Sequence, residues 1–250
     1  MSIGHLVLLI AVGIGGGLAA SIAGLASLVS YPALLALGLS PVAANVTNTV
    51  ALTLNGVGSV VGSRPELTGQ RARAIRLTMA AAAGGALGGA LLLLTPAAAF
   101  EKVVPWLIGG ASLFILVPRR RAPMAGSEPT HSPWVTLATG FIGVYAGYFG
   151  AASGVMMLAL LLAFTADSLP RSVALKNVAV GAANAVAALG FAFLGPVNWA
   201  VAAPLSLGFL AGGRIGPLLV RRLPTGPLKA VIALGGVGLA LRLGYQAYRA

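Results

Sequence analysis

Asn48 and Asn55 stand seven residues apart in the apolar stretch PVAANVTNTVALTLN (41–55), and Asn177 and Asn184 stand seven apart in PRSVALKNVAVGAAN (170–184). Each pair follows a proline by the same interval, and the second copy lies 129 residues after the first. Seven residues on a helix drift only about 20° around its axis, so each pair shares one face. Asn45, Thr49 and Ser59 widen the first polar stripe, and Lys176 flanks the second. An amide in hydrocarbon without a partner is costly, so these side chains must face protein, water or a guest. Two chemistries fit: hydrogen-bonded glue between helices, or donors and acceptors for a small polar substrate.

Other residues extend the second chemistry. The run GIGGGLAASIAGLA (13–26) is matched by GVYAGYFGAASGVM (143–156). Helices that begin near Gly24 and Gly154 would aim backbone N–H groups at an anion, with Ser21 and Ser153 adding hydroxyls beside the breaks. Gly13, Gly15, Gly16 and Gly17 fit close helix packing better. GIGGGL is no dinucleotide fingerprint, because it lacks the flanking strand and the distal acid. Two cations, Lys176 and Arg214 (in LAGGRIGPLL), lie inside apolar segments. Either could snorkel to the membrane surface or face a cavity as a ligand.

Catalysis is not expected. The four acids are Glu66, Glu101, Glu128 and Asp167, all in loops or at segment ends, so no carboxylate relay crosses the chain. His5 and His131 are also near segment ends, and there is no HExxH motif or nucleophile–base pair at membrane depth. No metal site and no cofactor are predicted, and the absence of cysteine excludes disulfides and thiolate ligands.

The elements that must position these residues follow from composition. The chain has 250 residues, of which 58% are hydrophobic and 8% charged. A soluble domain carries about 25% charged residues, so most of this surface faces lipid. Apolar runs fall near 3–22, 25–38, 41–62, 74–94, 100–117, 133–151, 154–167, 171–194, 198–220 and 226–245. The first is read as a membrane segment because no basic leader precedes it. Net charge is +12, but the cations cluster between apolar runs, which points to membrane topology rather than nucleic acid.

The polar stretch 118–132 divides a single membrane domain, 1–250, into repeat one (about 1–117) and repeat two (about 133–250). After the first Asn-bearing segment comes the basic GSRPELTGQRARAIR, which places that end in the cytoplasm. The equivalent GPVNW after the second carries no charge and is placed outside. One segment later the bias reverses, with TPAAAFEK balanced and RRLPTGPLK basic. Equivalent loops on opposite faces require inverted repeats. Each repeat then consists of a broken, re-entrant hairpin of two short arms and three long transmembrane helices, in an all-α polytopic membrane protein. Paired broken elements of this kind point to a transporter's binding site.

GIGGGLAASIAGLASLVSYPALLALGLSPVAANVTN and GFLAGGRIGPLLVRRLP resemble the TauE/SafE family of membrane transporters, and the resemblance spans both repeats. It implies export of a small anion such as sulfite or an organosulfonate (sulfoacetate, for example) across a bacterial inner membrane. The candidate substrate-binding residues are Ser21, Gly24, Asn48, Asn55, Ser153, Gly154, Lys176, Asn177, Asn184 and Arg214. The expected partners are the anionic substrate and the lipid bilayer; whether copies associate into a homo-oligomer stays open. The alternatives are a channel for small neutral solutes and a non-transporting membrane scaffold.

Overall fold

The computed structural model of the protein describes residues 3–116, 133–165 and 167–220, and, near the C-terminus, residues 234, 237, 238 and 240–247. The linker 118–132 lies outside the described residues, and so do Arg119, Arg120, Arg121, Glu128, His131, Arg221, Arg222 and Lys229.

Among the described residues every regular element is helical. The helices are α1 (Ile3–Ala23), α2 (Ala26–Ala36), α3 (Pro41–Gly62), α4 (Arg64–Leu67), α5 (Arg71–Leu94), α6 (Ala97–Leu116), α7 (Pro133–Tyr148), α8 (Ser153–Phe164), α9 (Leu169–Leu194) and α10 (Trp199–Val220). Four of them, α1, α5, α9 and α10, are long and apolar enough to cross a bilayer. Phe193, Leu194, Leu189 and Trp106 point outward from the bundle, as a lipid-facing surface requires. The chain is a multi-pass helical membrane protein.

Local chemistry explains several boundaries. Ser40 caps α3, its hydroxyl accepting from Ala43 N, and Pro41 occupies the first turn, where its missing N–H costs nothing. α2 stops at Gly38, whose positive φ lets Leu39 N donate to Leu34 O and Gly38 N to Leu35 O. Prolines 204 and 217 sit inside α10, as membrane helices tolerate where neighbours satisfy the freed backbone.

Two features of the expected hairpins need correcting. The arm expected to be short in repeat one is α1, with 21 residues. It is long enough to cross, because its internal glycines do not interrupt a helix packed along α10. Among the hairpin arms, α2 (11 residues) and α8 (12 residues) are short, and α7 has 16 residues. The links are also placed differently. Residues 21–23 remain helical, so the first break is confined to Gly24 and Leu25; the second runs from Phe149 to Ala152.

Glycine-lined contacts give the directions of the helices. Gly13 meets Leu205 and Gly208, Gly17 meets Phe209 and Gly212, and Ser21 meets Gly216, so α1 and α10 run the same way. Gly84 meets Gly140 and Gly88 meets Val144 and Tyr148, so α5 and α7 also run the same way. Gly58 of α3 packs on α10, and Gly85 of α5 packs on α9. The first helix of each half thus packs against the helix that follows the Asn-bearing helix of the other half.

α3 and α9 meet at Gly56 and Gly181, each 3.4 Å from a Cβ placed on the other. Arg171 Nη2 donates to Thr68 O at 3.2 Å beyond one end, and Asn198 N donates to Thr47 Oγ1 at 3.0 Å toward the other. The two helices therefore run in opposite directions. At the basic end, Asp167 pairs with Arg73 and approaches Arg171 at 4.0 Å, tying the loop before α9 to the start of α5.

Candidate functional site

Both breaks are built on left-handed glycines. Gly24 and Gly150 each have φ +77°, a conformation in which an L side chain is strained by about 1–2 kcal/mol. Each is followed three residues later by a serine, in GLAS (24–27) and GAAS (150–153). The breaks meet in space: a Cβ on Gly154 would lie 2.5 Å from Gly24 Cα, and one on Gly24 would strike the Gly154 backbone.

Around this meeting point lies a cavity of about 40 Å³. A single water needs about 10–15 Å³ on this measure, so the space suits a guest of a few heavy atoms. Its walls include Thr49, Asn55 and Gly56 from α3 and Lys176, Asn177, Gly181 and Asn184 from α9. These are mid-helix positions, so the cavity lies deep in the bundle. Gly24, Ser27, Gly150, Ser153 and Gly154 close it from the breaks. No carboxylate lines it among the described residues.

The first turns of α2 and α8 border the cavity, and neither helix has a side-chain cap at its N-terminus. The positive end of a helix dipole favours an anion, although in α8 Ser153 N and Val155 N already donate to Gly150 O and Ala152 O. The opposite pole belongs to α1, where Ala20 O accepts from Gly24 N and the carbonyls after it run out of helical partners. There Lys176 Nζ donates to Ala20 O at 2.8 Å and Ser21 O at 3.1 Å, and Asn177 Nδ2 donates to Ser21 O at 3.2 Å. The other half uses a different residue for the same task, with Asn45 Nδ2 donating to Tyr148 O at the end of α7, 2.9 Å away.

Lys176 does not snorkel. It is 1% exposed, and the carbonyls at the end of α1 hold its ammonium in place. The side chain therefore has a structural partner and also lines the cavity.

Seven of the residues singled out in the sequence line the cavity: Gly24, Asn55, Ser153, Gly154, Lys176, Asn177 and Asn184. Their hydrogen bonds separate them. Asn55, with its amide turned to suit its neighbours, donates to Gly17 O at 3.1 Å and Phe209 O at 3.3 Å. Ser153 Oγ donates to Gly150 O at 2.9 Å, closing its own turn. Asn184 has no side-chain hydrogen bond among the described residues, and its amide borders the empty space.

Three residues lie elsewhere. Ser21 Oγ donates to Gly17 O at 2.7 Å inside α1; only its carbonyl reaches the α9 side chains. Asn48 joins α3 to α2, accepting from Ser30 Oγ at 2.6 Å and donating to Ser27 Oγ at 3.2 Å. Arg214 is exposed on α10, away from the cavity walls.

Ser27 is the hydroxyl that the sequence reading missed. It is buried, lines the cavity and accepts from Asn48 Nδ2. The shared Gly-x-x-Ser spacing after each break was the available signal. It pairs Ser153 with Ser27, not with Ser21.

Comparison with known proteins gives a consistent picture. The family model described as Sulfite exporter TauE/SafE matches residues 9–243. The chain is 25% identical over 234 residues to the Probable membrane transporter protein YfcA of Escherichia coli (strain K12), covering 91% of this chain and 85% of that one. It is 27% identical over 224 residues to a Probable membrane transporter protein of Haemophilus influenzae, covering 86% and 85%. No solved structure matches the chain.

Proposed function

The chain belongs to the Sulfite exporter TauE/SafE family of membrane transporters, and from that premise we propose that it exports a small oxyanion across a bacterial inner membrane. Sulfite or an organosulfonate such as sulfoacetate is the substrate class. The observation that carries this reading is the cavity where the two breaks meet, between two helix N-termini that no side chain caps and beside the buried Lys176. Lys176, Asn177, Asn184, Ser27 and Ser153 form its polar wall, with Gly24 and Gly154 at the crossing. Asn184 and Ser27 supply the donors that contact the guest, while Lys176 supplies positive charge. Asn55 holds α1 and α10 against α3 and presents its remaining face to the space.

The two halves act as inverted repeats. The opposed directions of α3 and α9, and the exchange of partners by α1 with α10 and α7 with α5, support that arrangement. Rocking of one half against the other then exposes the cavity alternately to each side. An inside-negative potential supplies about 2.3 kcal/mol per charge per 100 mV, enough to drive an anion outward without a coupling ion.

Proteoliposomes loaded with sulfite or sulfoacetate, with the potential clamped at several values, test the proposal. Efflux is expected to rise as the interior is made more negative. Flux of neither anion at any potential would remove this substrate class.

One observation favours a second reading. The Lys176 ammonium is already held by two carbonyls, so amides alone could serve a small neutral solute. A Lys176→Met protein that still conducts neutral solutes, but shows no anion flux even as wild type, would establish the channel instead.

A further inference from the structure

We infer that Tyr31 and Phe149 form the outer gate of the central cavity, two rings from opposite halves that must part before a guest leaves on the side away from the basic loops. Phe149 lines the central cavity. Tyr31 lines a second hollow, of about 400 Å³, whose walls include Pro41, Ala98 and Glu101. Pro41 and Ala98 stand in the first turns of α3 and α6, at the end of α3 opposite Thr68. Ala98 and Glu101 are exposed, so this hollow opens to the outside. The two rings meet edge to face, with centroids 5.4 Å apart and planes at 84°. Phe100 of α6 braces Phe149 at 6.0 Å. All three rings are at most 2% exposed and form a closed partition between the two spaces.

The rings lie on the two sides expected to move apart. Tyr31 is on α2, which Asn48 ties to α3, whereas Phe149 directly follows α7. Asn45 Nδ2, bonded to Tyr148 O, spans the same seam. The Tyr31 hydroxyl carries the inference further, because it is buried and has no hydrogen-bond partner. Nearly all buried polar groups are paired, and an orphan favours any state in which it finds a partner. Parting the rings admits water from the hollow to that hydroxyl. The edge-to-face contact holds the gate shut, and the orphan biases it toward opening. The device is not duplicated. Tyr31 stands seven residues after Gly24 and Phe149 one before Gly150, and the corresponding residues of the other copy are Met157 and Ala23.

The inference rests on reading the cavity as a transport path, but its test needs no substrate. The chain has no cysteine, so Thr49→Cys places a single thiol on the cavity wall. The full chain in intact vesicles is labelled with a small impermeant methanethiosulfonate from each side separately. Tyr31→Phe keeps the ring and removes the orphan. It should slow labelling from the Pro196 side about fivefold, the worth of one hydrogen bond, and raise the melting temperature. Phe149→Leu keeps apolar bulk and loses the ring pairings. It should speed labelling from that side about fivefold, with no rise from the Thr68 side. An unchanged or faster rate in Tyr31→Phe would overturn the gate, as would acceleration by Phe149→Leu from both sides alike. Opposed changes without flux of sulfite or sulfoacetate would remove that substrate class and leave the gate standing.

Discussion

Four asparagines with similar sequence surroundings do different work, and their partners decide which. Asn48 is bonded to both Ser27 and Ser30, so Asn48→Leu should loosen α2 from α3. Interhelical bonds of this kind contribute about 0.6 kcal/mol on average and up to about 1.7. A loss of that size in unfolding free energy, with flux per folded molecule retained, is the expected result. Asn184 has no such bonds to lose. Asn184→Leu should leave the melting temperature near wild type and lower flux about tenfold or more, the worth of one hydrogen bond to a charged guest. The two variants, measured side by side for unfolding and efflux, separate glue from substrate contact. Lys176→Met should fail in both assays, because it removes the cation from the cavity and takes one donor from each of two α1 carbonyls, leaving Ala20 O only Gly24 N and Ser21 O only Asn177 Nδ2.

At the scale of the elements, the breaks matter more than the long helices. Gly24→Ala would force an L residue into a left-handed conformation and drive its methyl into Gly154. Strain of about 1–2 kcal/mol adds to an overpacking cost of about 1–3 kcal/mol. The expected result is a marked fall in folded yield and melting temperature. Gly15→Ala is the control, since nothing lies within contact of a Cβ there. Helix boundaries were legible in the sequence to within a few residues. α5 begins at Arg71 and not at the apolar residue 74, because arginine is a good helix former and extends the helix beyond its greasy part. The breaks were legible as Gly-rich links. Their register was not, because Gly, Ala and Ser recur too often nearby for composition alone to align the two copies.

For the molecule as a whole, the proposed inversion of the repeats makes a prediction that needs no substrate. Cysteines introduced at Thr68 and Pro196 should react with an impermeant reagent from opposite sides of intact vesicles. Thr68 lies at the basic end, where Arg171 donates to its carbonyl. Pro196 follows α9 at the other end, next to Asn198. Reaction of both from one side would remove the basis for alternating access. The packing also restricts where motion can occur. The glycine seams of α1 with α10 and α5 with α7 are closely joined, so movement is expected between those pairs, across the α3–α9 crossing where Gly56 and Gly181 meet.

Sequence alone determined what kind of protein this is. A chain with 8% charged residues must place its apolar surface in lipid, amides at such depth must find partners, and loop cations bias orientation. Those are local and compositional constraints, readable without knowing which helix touches which. Only the tertiary structure decided the role of each polar residue. Lys176 turned inward because the C-terminal end of α1 abuts α9, Asn48 was engaged by two serines of α2, and Arg214 was left outside. The physical reason is that a hydrogen bond depends on what lies within about 3 Å. In this chain the decisive neighbours of Lys176 are more than 150 residues away along the sequence.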